Sequence, residues 1–204
     1  MFDSPYIVVA ICSSLSLLPA LIWGAIFLHR SREKRYMLVR TFMLSALMVV
    51  PLVLYRQLWE AFPSINLVER LKPIDYYADF SLSIPLSVLL FFVTIGVIEE
   101  ILKMLVVAKV DSKEINSISE AIEFSVVAAL GFAFAENTFY FIEIYQNIGT
   151  QTLLNVFVFR SLFSMFAHIL FSSIYGYHYG LAKFAGPIYR EMSSKSLYKK
   201  FLGF

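Results

Sequence analysis

Two adjacent glutamates and a lysine stand in the stretch IEEILK, residues 98–103, inside one of the most apolar parts of the chain. An ionisable group at a bilayer centre costs about 2.5–3.5 kcal/mol on insertion scales, so such groups face a bundle interior and find partners there. Lys103 follows Glu99 by four residues and Glu100 by three, which sets it between them on a helix. A structural ion cluster accounts for one carboxylate, neutralised by the lysine, and leaves the other over. Two adjacent carboxylates that share one lysine do not both ionise easily. A carboxyl group tuned in that way suits general acid or base work. This segment alone leaves open which glutamate does so; beside Glu136 and His168 of later segments, Glu100 is the expected water-activating residue, with Glu99 and Lys103 as its support.

Two further segments carry polar groups at comparable depth. GFAFAEN, residues 131–137, places Glu136 and Asn137 near the middle of an apolar run, beside the small residues Ala128, Gly131 and Ala135 at helical spacing. By itself this is equally a helix-packing face whose glutamate bonds a neighbour. In RSLFSMFAHILFSS, residues 160–173, Arg160, Ser164, His168 and Ser172 recur every four residues and share a helix face. A single histidine among apolar residues is usually a satisfied core group; the arginine and serines on its face raise its interest. His29 and His178 are expected at the membrane interface, and so are Glu120, Glu123 and Glu143 near the ends of their segment.

Two carboxylates and a histidine open two routes to amide hydrolysis. Glu100, Glu136 and His168 could hold a divalent ion such as Zn²⁺, leaving a position for water. Alternatively a glutamate activates water directly while histidine and asparagine stabilise the oxyanion. No HExxH pair, no Gly-x-Ser-x-Gly turn and no glycine-rich phosphate loop occurs, and no basic patch suggests nucleic acid. A proton-coupled carrier is the rival class, since buried Glu, His and Arg also make proton relays. Carriers show internal repeats, and none is found.

The elements that must position these groups follow from composition. Of 204 residues, 59% are hydrophobic and 16% charged, with 20 Phe and 12 Tyr, against about 25% charged in a soluble domain. Hydrophobic segments at about 6–28, 37–55, 82–108, 120–145 and 152–185 predict an all-α, polytopic bundle of about five spans. The last, some 34 residues, is long enough to be re-entrant or broken near 150–165. The first run is too long for a secretory h-region and lacks a basic flank. The single cysteine, Cys12, permits no intrachain disulfide.

Basic residues in loop 29–40 and in the tail beyond Lys183 place both in the cytoplasm, with the N-terminus outside. The chain reads as one integral membrane domain, 1–204. Within it are two N-terminal spans with an external loop (1–80), core helices (81–186) and a basic cytoplasmic tail (187–204).

Taken in order, EEILK (99–103), GFAFAEN (131–137) and Arg160 followed by His168 resemble the PrsW family of bacterial membrane proteases, which looks like a branch of the CAAX-protease and bacteriocin-processing superfamily. The resemblance covers about residues 95–182. It departs where the family has Gly-x-Gly-Phe and this chain has Ala129-Leu130-Gly131-Phe132. The acid at Glu136, where prenyl-protein and bacteriocin-processing peptidases carry histidine, favours the PrsW branch. The resemblance implies catalytic roles for Glu99, Glu100, Lys103, Glu136, Asn137, Arg160 and His168. It also implies a cell-membrane endopeptidase making site-1 cleavage of a membrane-anchored protein such as an anti-sigma factor.

Overall fold

The structure, a computed structural model, describes residues 4–30, 32–75, 85–110 and 113–186. The expected basic tail 187–204 and the side chain of His29 lie outside the described residues. Most of the described residues are helical, and none of them is in a strand.

Helix α1 (Pro5–Arg30) is followed by α2 (Arg35–Leu47) and α3 (Val50–Ala61), which form one run. That run is interrupted ahead of Pro51, whose missing N–H cannot continue the ladder. A short helix, α4 (Leu67–Asp75), precedes α5 (Leu86–Leu105), which a π-helical segment extends to Val110. Asp75 ties the two together by accepting from the Ser87 hydroxyl at 2.5 Å and the Ser87 backbone N–H at 2.7 Å. Those two bonds hold its carboxyl below the usual carboxylate range. Helix α6 (Ile118–Asn147) starts at Ser117, whose hydroxyl accepts from the Glu120 N–H at 3.1 Å, a capping arrangement that satisfies one orphan donor. The chain ends its described part in α7 (Thr150–Phe159) and α8 (Met165–Gly180).

Among the described residues, four helical runs are long and apolar enough to cross a membrane: Pro5–Ile26, Arg35–Trp59, Ile118–Asn147 and Thr150–Ala185. Helix α5, with Glu99, Glu100 and Lys103 in 20 residues, is the remaining long one. The molecule is thus a polytopic helical bundle. Of the readings open for 150–165, a broken helix is not the one that forms: α7 and α8 are continuous through a π-helical segment, Arg160–Ser164. One extra residue per turn there shifts the helix face without ending the helix.

Helix α6 is the centre. It packs most extensively on α8, then on α2 and α1, and most of its first half is buried. Small residues permit this. A Cβ on Gly131 would meet the Phe42 carbonyl oxygen of α2 at 2.1 Å, and one on Gly176 would meet Ser125 Oγ and the Ala121 carbonyl oxygen at 2.6 and 2.7 Å. Gly176 and Gly180 stand four residues apart, the close-packing spacing of membrane helices. Glu123, expected at the interface, is instead buried at 7% exposure, because α6 is enclosed on all sides at that level. Helix α2 lies against α6, while α3, beyond the break at Pro51, has little contact with it. Helix α5 packs mainly on α4 and touches α6 and α8 sparsely. The space left between α3, α5 and α6 is a cavity of about 420 Å³.

Candidate functional site

Three helices bring the polar residues together as one chain of contacts. On α5, Lys103 is 2% exposed. Its ammonium contacts Glu100 Oε1, lies 3.0 Å from His168 Nδ1 and sits over the Phe132 ring at 4.9 Å. The other oxygen of Glu100 accepts from Ser172 Oγ at 2.9 Å. Across the imidazole, His168 Nε2 is 3.2 Å from Glu136 Oε2. The same Oε2 meets Arg160 Nη2 at 2.7 Å. Arg160 Nε donates to Asn137 Oδ1, and its guanidinium lies over the Tyr140 ring at 4.5 Å.

The directions of these bonds follow from the donor inventory. A lysine ammonium has no acceptor, so His168 Nδ1 must accept from Lys103. The histidine proton then resides on Nε2, where it donates to Glu136. Serine, lysine, histidine and arginine therefore converge on two carboxylates, Glu100 and Glu136, placed on opposite sides of one imidazole. Burial makes this order costly to break: an unpaired charge in such a setting costs far more than the pair gains.

Glu99 is placed differently from its neighbour. Among the described residues it makes no hydrogen bond or ion pair, and it lines the cavity together with Glu136. Glu100 and His168 do not line it. One peptide step separates Glu99 from Glu100, and about 100° of helix rotation turns one toward the cavity and the other toward Lys103 and α8.

The cavity runs parallel to the helices, because each of its walls is a helical stripe. Helix α5 gives Phe91, Ile95 and Glu99; α6 gives Glu136, Phe139, Tyr140 and Glu143. Helix α3 closes it with Leu52, Val53, Arg56 and Trp59. At one end stand Glu99 and Glu136. At the other, Arg56 grips Glu143 with both terminal nitrogens, Nη1 to Oε2 at 2.7 Å. Sequence reasoning gave α3 no part in the site. Its apolar run matched any lipid-facing helix, and only Arg56, Gln57 and Glu60 toward its end hinted otherwise. Ser172 was on the expected face, but nothing in its type distinguished it from Ser164.

A catalytic zinc takes three protein ligands and keeps an open position. No three His, Cys, Asp or Glu side chains among the described residues form such a set. Of the expected trio, Glu136 and His168 adjoin, whereas Glu100 lies beyond Lys103 on the Nδ1 side of the ring. Two nitrogens of one imidazole point in opposite directions and cannot bind one ion. The Glu136 oxygen nearest the histidine is already shared with Arg160. As arranged, these residues do not fit a three-ligand divalent ion.

Comparison with known proteins points one way. A family profile described as PrsW family intramembrane metalloprotease matches residues 33–202. Protease PrsW of Clostridioides difficile (strain 630) is 29% identical over 157 residues, covering 76% of this chain and 58% of that relative, so the chain spans little more than half the relative's length. No solved structure matches.

Proposed function

The chain belongs to the PrsW family of intramembrane metalloproteases, and from that premise we propose that it is a membrane-embedded endopeptidase that cuts a membrane-anchored protein within or close to the bilayer. The observation that carries this reading is the cavity with two carboxylates, Glu99 and Glu136, at one end, reached from between helices rather than sealed in the core. An anti-sigma factor is the substrate type that the family resemblance suggests.

We assign water activation to Glu99 rather than to Glu100. Both oxygens of Glu100 are engaged, by Lys103 and Ser172, while Glu99 is free within the described residues and open to the cavity. In the proposed reaction Glu99 takes a proton from water as its oxygen attacks the scissile carbonyl carbon. Glu136 holds that water through Oε1, its other oxygen being occupied by Arg160 and His168. Arg160 and His168, both bound to Glu136 Oε2 and neither lining the cavity, fix that carboxylate from behind, and the charge of Arg160 favours the negative charge that develops on the carbonyl oxygen. Glu99 then passes its proton to the amine nitrogen as the C–N bond breaks, leaving a new carboxyl and a new amine. Asn137 holds Arg160 in place. The family description implies a metal; the donor arrangement here supports the glutamate–water route, and turnover unchanged by a chelator is the outcome it expects.

The test uses the purified chain and single-span reporter proteins. Glu99→Gln is expected to lower kcat by at least about 100-fold, the scale of general-base catalysis, with helix content and monodispersity intact. Glu100→Gln is expected to act mainly on stability. Full activity in Glu99→Gln, Glu136→Gln and His168→Ala would remove the hydrolase assignment.

A further inference from the structure

We infer that the cavity between α3, α5 and α6 is a substrate subsite selective for a large apolar side chain within three residues of the scissile bond, with α3 as its specificity wall. The inference rests on the protease reading and deepens it. Along α6, Glu136 and Glu143 are seven residues apart, two turns or about 10 Å. An extended peptide covers that distance in about three residues. A scissile bond held at Glu99 and Glu136 thus has its next three residues lying between the carboxylates and the Arg56–Glu143 pair.

The wall over that distance is apolar, from Leu52, Val53 and Trp59 on α3, Phe91 and Ile95 on α5, and Phe139 on α6. The lining also holds Tyr55, Gln57 and Tyr140, so a polar side chain there would exchange its water for few partners. An apolar side chain gains nothing from merely leaving lipid, since hydrocarbon is as apolar as leucine; it gains from packing. Selection is therefore by size and shape, which favours side chains that fill a cavity of about 420 Å³ over alanine or glycine. Trp59 packs edge-on against Tyr55 and Phe91, with ring centroids 5.5 and 5.8 Å away, so the wall is rigid enough to discriminate.

The experiment is a panel of single-span reporters with a varied juxtamembrane segment, incubated with the purified chain, with cut sites read by mass spectrometry. Leu, Met or Phe is expected at one position within three residues of the cut, at least about tenfold over Ala, the scale of hydrophobic-pocket selectivity. Val53→Trp, which fills the cavity, is expected to lower the Leu-to-Ala cleavage ratio about tenfold. Trp59→Ala, which enlarges it, is expected to shift preference toward Phe and Trp. A flat residue profile, or the same profile in both folded variants while Glu99→Gln still abolishes cleavage, overturns the subsite and leaves the protease intact. If no reporter is cut by the unaltered chain, the protease reading falls and the subsite with it.

Discussion

At the scale of single residues, the two glutamates of IEEILK divide their labour through helix geometry. Glu100 belongs to an internal network with Lys103, Ser172 and His168, and Glu99 belongs to the cavity. Lys103 is the pivot, since it is donor to both Glu100 and His168 and thereby sets the histidine tautomer. Replacing it with methionine leaves a half-buried carboxylate with Ser172 as its remaining partner, a loss below the roughly 3–5 kcal/mol of a fully buried broken pair, and removes the bond that keeps Nδ1 unprotonated. The expected outcome is a lowered Tm together with a mixed population of imidazole tautomers, read from ¹⁵N shifts of labelled His168. A single Nε2–H tautomer persisting in Lys103→Met would show that Glu136 alone orients the ring. The residues of this network were legible in the sequence as charges that an apolar segment could not tolerate. Which glutamate faced which way was not, because adjacent positions differ only in what the neighbouring helices present to them.

Elements turn these residues into a site by packing closely in one place and standing apart in another. Helix α2 touches α6 at Gly131, where there is no room for a side chain, and α3 then diverges beyond Pro51 to leave the cavity. Gly131→Ala would push a methyl into the Phe42 carbonyl, backbone that cannot rotate away. The expected cost is at least the roughly 1–3 kcal/mol of an overpacked interior. At about 2–4 °C per kcal/mol for a chain of this size, a drop of several degrees in Tm is the measurement. Gly24→Ala is the matched control: its nearest neighbour would be Leu130 Cδ1 at 3.8 Å, ordinary contact, and Tm should hardly move. Equal losses in the two variants would count against close α2–α6 packing. The small-residue face of α6 was visible from spacing alone. The π-helical segment at Arg160–Ser164 was not, since it changes hydrogen-bond register without a periodic signature. Nor was the role of α3, because one apolar helix reads like another until a cavity lies beside it.

For the whole molecule, the two ends of the bundle are polar in different ways. At one end Lys34 donates to the Glu114 carbonyl at 2.7 Å and to Glu120 Oε2 at 2.6 Å, and Lys183 donates to the Ile115 carbonyl at 2.7 Å. These bonds join the α1–α2 loop, the α5–α6 loop and the end of the final helix. At the other end stands the Arg56–Glu143 pair. Glu120 and Glu143 are 23 residues apart on α6, about 35 Å of helix, enough to cross a hydrocarbon core of about 30 Å. From the excess of lysine and arginine at the Lys34 end we propose, by the positive-inside rule, that this end faces the cytoplasm. On that proposal Glu136, two turns from Glu143, would stand in the outer half of the membrane, and a substrate would be cut there. Impermeant maleimide labelling of intact cells tests the orientation. Ser64→Cys, in the exposed turn after α3, should react from outside, and Glu33→Cys only after lysis. The native Cys12, 1% exposed, should stay silent in both. Labelling of Glu33→Cys in intact cells would invert the bundle and put the proposed cut near the cytoplasmic face.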